Sequence, residues 1–247
     1  MHRQRSSFTP AARRPRRLGQ TILALGAGLM LLASAATAPA GAAAGSAQPA
    51  AATASSASTT AELLRNTQLR TRPDGPVVTT LGRSTDFGSP RVLAVVARRG
   101  DWLGVLSESM PAGRAGWIPA ANAKLGHVRY AIAVDRSDRM LTVRRDGQVV
   151  RRFAIAVGRT GLTTPTGRYA VTDTLLMSSG TAYGCCVMPI TGVQNGLPGR
   201  TRLAIHGTNA EGTIGSAASS GCVRARTADM RWLVNHVTAG TVLRIAA

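Results

Sequence analysis

Hydrophobic and polar positions change character several times along the chain, and each change marks a segment. The first 17 residues hold Arg3, Arg5, Arg13, Arg14, Arg16 and Arg17, after which no charged residue occurs from Leu18 to Ala61. Within that uncharged stretch, Thr21 to Ala36 (TILALGAGLMLLASAA) is apolar, and small residues such as Ala38-Pro39-Ala40 follow. A basic head, an apolar run and a small-residue site in that order predict an export signal over residues 1–40. A spanning helix needs about 20 strongly apolar residues. Here Gly, Ser, Thr and Ala dilute both ends of the run, so cleavage is expected rather than retention as an anchor. Residues 41–61 are almost wholly Ala, Gly, Ser, Thr, Pro and Gln. With nothing large to bury, they cannot offset the entropy of ordering and are expected to be a disordered tether.

From residue 62 to residue 125 the pattern becomes short alternating runs broken by Gly and Pro: LLRNTQLRTRPDG, PVVTTLG, RVLAVVARRGDWLGVLS and RAGWIPA. Period-two alternation with frequent turn residues predicts β-strands. About 60 residues of this kind predict a small barrel with Trp102 and Trp117 in its core. RRGDWLGVLS and GRAGWIPA resemble a bacterial SH3-like domain. Residues 126–247 continue the β pattern. YAIAVD and RMLTVRR alternate, Asp146-Gly147 is a strong two-residue hairpin signal, and QVVRRFAIAVG pairs back. Helical spacing occurs late, at Met230, Leu233, Val234 and Val237, with Thr227 as the expected cap and Asp229 as a first-turn acid. The fold class is therefore mainly β: a small SH3-like barrel, then a β-rich domain with one C-terminal helix.

Composition refines this picture. At 247 residues, 44% hydrophobic and 4% aromatic, the chain has room for one or two small domains with real cores. Its net charge is +19, and Lys124 is the single lysine, so arginine carries the rest. That bias reads as a GC-rich genome as much as selection for chemistry. Removal of residues 1–40 takes six arginines away and leaves about +13. So basic a chain calls for an anionic neighbour. Nucleic acid is disfavoured, because three Phe, three Tyr and three Trp leave few stacking platforms, no base-reading motif is present, and an export signal is expected.

Two apolar-to-polar transitions carry the candidate chemistry. LAIHGTN ends an apolar run at His206, followed by Gly207, and SSGCVR places Cys222 after Gly221 and before the helix. A lone strand-end histidine is usually structural, and a lone cysteine is usually a small buried hydrophobe. Both, however, lie beside glycine, where a substrate can approach the main chain closely, and a strand and a following loop can bring them together. Such a site requires a thiolate. An ordinary thiol, with a pKa near 8.5, is only a few per cent ionised at neutral pH, and an imidazole or a helix N-terminus is expected to lower it. His206 would serve as base and then acid, its ring held by a main-chain carbonyl near Ser219 or Ser220, since no carboxylate is close in sequence. Amides of Gly221, Cys222 and Val223 would face a developing oxyanion, with Arg224 at the rim. His2, His127, His206 and His236 are scattered without acidic companions, so no metal site is expected. Three cysteines cannot all pair within one chain. A bond between the neighbours Cys185 and Cys186 would close a strained small ring, so two reduced thiols are expected there.

TPTGRY at Thr164 to Tyr169, LAIHGT at Leu203 to Thr208 and SSGCVR at Ser219 to Arg224 together resemble the YkuD family of L,D-transpeptidases, over roughly Val128 to Ala247. The resemblance implies Cys222 as nucleophile, His206 as its base, Ser219 and Gly221 as shaping residues of the loop, and Arg224 as a polar contact near the acyl site. It also implies Tyr183, in TAYGCC, as an aromatic lid over the pocket, with Gly207 lining it. Ser220 stands where some members carry histidine, which favours a main-chain role there. The implied reaction is attack by Cys222 on the carbonyl before the terminal D-alanine of a peptidoglycan tetrapeptide, followed by transfer of the acyl group to a diamino-acid amine of a second stem, without a cofactor. Water as acceptor would make an L,D-carboxypeptidase instead. A non-catalytic wall-binding protein is the other alternative. A sortase-like enzyme is disfavoured, because no TLxT-like strand precedes Cys222. The expected setting is extracytoplasmic, at the wall or the outer face of the membrane, as a monomer beside stem peptides and anionic wall polymers.

Overall fold

Leu63, Leu69, Leu81, Leu93, Leu103 and Ile118, the inward positions of the first alternating runs, are all essentially buried and form one cluster. The structure is a computed structural model that describes residues 58–178, 181–194, 197 and 201–247. The expected export signal and most of the expected tether lie outside the described residues. The first strands are β1 (Ser58–Leu63), β2 (Thr67–Arg70), β3 (Val77–Leu81), β4 (Val92–Arg99), β5 (Trp102–Val105), β6 (Gly116–Pro119) and β7 (Ala123–Val128). They form one sheet in the order β3-β2-β6-β5-β4-β1-β7. Residues 58–61, expected at the end of the tether, are instead strand, paired with β4 and β7 and with Thr60 and Ala61 buried. At the other end β7 runs to Val128, three residues past the expected limit of this segment. Trp117 is buried as expected, whereas Trp102 is only half-buried.

The second half comprises β8 (Tyr130–Asp135), β9 (Met140–Arg145), β10 (Gln148–Ala154), β11 (Val157–Gly158), β12 (Gly167–Ala170), β13 (Leu175–Leu176), β14 (Cys186–Val193), β15 (Arg202–His206), β16 (Ala217–Ser219), β17 (Val223–Arg224), α1 (Thr227–His236) and β18 (Val242–Ala246). Three sheets result, ordered β10-β9-β8-β18-β12, β11-β16 and β13-β14-β15-β17. The Asp146-Gly147 turn joins β9 to β10 with both residues at positive φ, as a tight hairpin with right-handed twist requires. Inward residues of these sheets, among them Ile132, Leu141, Tyr169, Met188 and Ile205, share one core with Met230 and Leu233 of α1 and with Val237 just after it. The expected class, mainly β with one late helix, is the observed one among the described residues. A smaller cluster of Ala94, Leu106 and Ala170 joins the first sheet to the second half.

Two local expectations change. Thr227 lies inside α1 and supplies no cap. The carboxylate of Glu211, in the turn Glu211–Thr213, accepts the Thr227 amide hydrogen at 2.8 Å, satisfying an orphan donor from outside the helix. Asp229 is a first-turn acid as expected, and it pairs with Arg151 at 2.9 Å. Cys185 and Cys186, expected as reduced thiols, are bonded to each other, and Cys222 is the free cysteine.

Candidate active site

The site is built on β15. Leu203, Ala204, Ile205 and His206 are all buried, because β14 and β17 flank the strand and the sheet is covered on both faces. This explains why LAIH reads as a continuous apolar run rather than an alternating one. His206 ends the strand at 4% exposure. Its Nδ1 lies 2.5 Å from the carbonyl oxygen of Gly207. A carbonyl only accepts, so Nδ1 carries the hydrogen, and Nε2 of the neutral ring is left as the basic nitrogen. The ring holder is thus a carbonyl next to the histidine itself, in place of the expected one near Ser219 or Ser220. The Tyr183 ring stands edge-on to the imidazole, with centroids 5.0 Å apart, and is about half exposed. Tyr183 therefore covers one side of the base.

Gly207 and Gly184 make that cover possible. A Cβ on Gly207 would fall 2.9 Å from the Tyr183 carbonyl oxygen, and one on Gly184 would fall 2.6 Å from the Thr208 nitrogen. Gly184 also has φ +64°, a conformation that disfavours side chains. The turn before β14 and the end of β15 thus touch main chain to main chain.

The nucleophile loop lies beside this strand. β15 and β17 run parallel, with Ile205 opposite Val223 and His206 opposite Arg224. Cys222 comes immediately before β17 and lies beside Ala204, whose main chain hydrogen-bonds to it. Diagonal neighbours in a sheet lie about 7–8 Å apart, within reach of long side chains. Arg224 is tied in from its other side by two main-chain hydrogen bonds to Ala156, both 2.8 Å. Ser219 is fully buried. Its hydroxyl donates to the Cys222 carbonyl at 2.5 Å and accepts from the Gly221 amide at 3.1 Å, which closes the loop on itself. Gly221 has φ +121°. The Gly221 amide is therefore already engaged, which withdraws it from the expected oxyanion set. Ser220, expected to act through its main chain, uses its hydroxyl instead, accepting from Arg159 Nη1 at 3.0 Å, while the Arg159 amide donates to Ser219 O at 2.9 Å.

Electrostatics also depart from the expectation of a resting thiolate. Burial pushes the Cys222 thiol above its usual range, against a main-chain hydrogen bond from Ala204 and the charge of Arg224. Burial likewise pulls the His206 imidazole down, to about 4, with the Gly207 carbonyl opposing and Arg224 adding to the fall. Both causes favour neutral forms, so the free site holds a thiol and a neutral imidazole. A stability prediction follows from the imidazole. Between about pH 6.5 and about pH 4 the unfolded chain binds a proton that the folded chain does not, so stability falls as pH drops through that window. The full loss is about 3 kcal/mol. Denaturant midpoints at pH 7 and pH 4.5 are expected to show this fall in the wild-type chain, and a smaller one in His206→Gln. Equal falls in both would refute it.

Of the eight residues singled out from sequence, the structure gathers Cys222, His206, Gly207, Tyr183 and Arg224 around one end of β15, with Ser219, Ser220 and Gly221 forming the loop that carries Cys222. TPTGRY has a supporting part: Thr164 is buried, and its hydroxyl accepts the Gly158 amide at 2.8 Å, bracing the turn from which Arg159 projects. Arg159 and Gln194 were not anticipated. The Gln194 side chain lies 3.2 Å from the point a Cβ of Gly221 would occupy, and it donates to Arg202 O at 3.0 Å.

The YkuD family, the L,D-transpeptidase catalytic domain, matches residues 129–245. A relative from Bacillus subtilis that carries the L,D-transpeptidase YkuD name is 30% identical over 118 residues, which cover 48% of this chain and 66% of the relative. A relative from Salmonella typhimurium that carries the L,D-transpeptidase ErfK/SrfK name is 50% identical over 42 residues, 17% of this chain and 14% of the relative. The chain thus spans just under two thirds of the Bacillus relative's length. Among solved structures, L,D-transpeptidase 3 from Mycobacterium tuberculosis with a faropenem-derived adduct is 17% identical, with a TM-score of 0.42, over 54% of this chain and 73% of that one. Residues 129–245 thus carry the YkuD domain, the L,D-transpeptidase catalytic domain.

Proposed function

We propose that the chain is an exported peptidoglycan L,D-transpeptidase with Cys222 as nucleophile and His206 as its base. The observation that carries the reading is the parallel pairing of β15, which ends in a buried, oriented imidazole, with β17, which directly follows a buried free thiol. With both groups neutral at rest, thiol deprotonation accompanies attack. Sulfur bonds to the carbonyl carbon of the residue before the terminal D-alanine, and its proton passes to Nε2 of His206. The tetrahedral oxyanion meets the Cys222 amide, since that of Gly221 is held by Ser219. Collapse breaks the C–N bond, the imidazolium returns the proton to the departing D-alanine nitrogen, and a thioester remains. The amine of a diamino acid on a second stem then attacks the thioester and gives a proton to Nε2, which passes it to the leaving sulfur.

In this reading Tyr183 shields the base from water, and Arg224 places a positive charge close to both reacting groups. The export signal, an SH3-like first segment and a mature charge of about +13 suit a polyanionic envelope. Incubation of the mature chain with purified sacculi, followed by mass spectrometry of the muropeptides, tests the proposal. Cross-linked dimers with equimolar release of D-alanine are the expected products. Tripeptides without dimers would assign water as the acceptor, and binding without any product would leave a wall-binding protein.

A further inference from the structure

The first sheet reaches the nucleophile loop through one side chain. Arg202, the first residue of β15, projects toward the loop between β3 and β4. Its Nη2 donates to Asp86 Oδ2 at 2.9 Å and lies 3.6 Å from Glu108 Oε1, and its guanidinium carbon sits 5.6 Å from the Phe87 ring centroid. Glu108 is fixed in turn by buried Arg91 at 2.5 Å, and Arg91 also donates to the carbonyls of Gly82 and Ser84 at 2.9 and 3.1 Å. The same loop is anchored again where the Thr85 hydroxyl donates to Asp173 at 2.6 Å, both residues being buried. On its main-chain side Arg202 pairs with Val193 of β14, and its carbonyl accepts from Gln194, whose side chain rests against Gly221. Four residues after Arg202, β15 ends in His206.

From these contacts we infer that Arg202 is a positioning residue through which the first sheet sets the nucleophile loop. Asp86, Glu108 and Phe87 fix its guanidinium, its carbonyl fixes Gln194, and Gln194 fixes Gly221 beside Cys222. The first sheet is on this account part of the catalytic apparatus as well as a neighbour of it. A guanidinium held through Nη2 by Asp86 and set over the Phe87 ring is a link that lysine reproduces only in charge. The inference rests on Cys222 being the reactive thiol, and its test does not depend on turnover.

The test measures the second-order rate of Cys222 alkylation by iodoacetamide in the full mature chain, followed by intact mass. The chains compared are the wild type, Asp86→Asn, Arg202→Gln, their double variant and Arg202→Lys. Asp86 and Arg202 are coupled in one network, so Asp86→Asn and Arg202→Gln are each expected to lower the rate by about five-fold. The double variant is expected to shift no further than Arg202→Gln alone, and Arg202→Lys to recover part of the loss. In D-alanine release the same variants are expected to lower kcat with little change in KM. Asp86, 72% exposed at its side chain, can be changed without touching a core, so a failure of Arg202→Gln to fold leaves the test intact. Alkylation rates within about 1.5-fold of wild type in folded Asp86→Asn would overturn the inference. So would additive effects in the double variant. Shifted alkylation in a chain that releases no D-alanine would remove the transpeptidase reading and leave the positioning role standing.

Discussion

Cys222→Ala is expected to reduce D-alanine release and cross-link formation by roughly 10⁴-fold or more, because no other group can hold the acyl chain between donor and acceptor. The two remaining sulfurs are bonded to each other and cannot substitute. The loss belongs to chemistry rather than folding. Cys222 is buried, but exchanging its sulfur for hydrogen removes a single heavy atom, at a cost of about 1 kcal/mol on the scale of small core truncations. The thermal midpoint is therefore expected to move by a few degrees at most while activity disappears. Intact mass provides the second half of the measurement: a β-lactam electrophile of the carbapenem class should add its mass to the wild-type chain and not to the variant. Turnover that survives in a folded Cys222→Ala chain would dismiss the cysteine mechanism outright.

His206→Gln should come next in size, with kcat lower by about 10²–10⁴-fold and KM little altered. Glutamine keeps a side-chain amide near the Gly207 carbonyl but offers no basic nitrogen. The pH dependence makes this prediction specific. With the imidazole drawn down to about 4 by burial, the wild-type enzyme retains its base across mildly acidic solution, and kcat/KM should fall only as pH approaches 4. A free histidine would produce the same fall near 6.5. The residual rate of His206→Gln should lack that acid limb and rise instead toward alkaline pH, following ionisation of a thiol that burial holds above its ordinary range. An acid limb near 6.5 in the wild type would contradict the effect of burial on the imidazole, and one that persists in the variant would contradict its assignment to His206.

The parts of this site that were legible in the sequence share one property: their signals are local. An apolar run ending in His206-Gly207 reads as a strand with a polar tip, SSGCVR reads as a tight loop, and Asp146-Gly147 reads as a hairpin. Each depends on neighbours a few positions away. Resemblance then assigned roles to residues already singled out. The illegible parts all depend on separation along the chain. Glu211 caps α1 from 16 residues upstream, Arg159 holds Ser220 across 61 residues, and Arg202 meets Asp86 across 116. No spacing rule announces such pairs. The ionisation state was misjudged for a related reason. Proximity to an imidazole argues for a thiolate, yet burial acts on both groups at once, and here it outweighs their attraction. Adjacency alone argues against the Cys185–Cys186 bond that the structure shows, and no local signal in the sequence announces it.

The interlocking of Gly184 with Gly207 has a consequence for how this site can change. Each backbone occupies the volume that a methyl on the other would claim, so neither position can be altered first without pushing the aromatic cover off the base. The specificity of the pocket can drift through Tyr183 and the residues around it, whereas its hinge point is locked against stepwise variation.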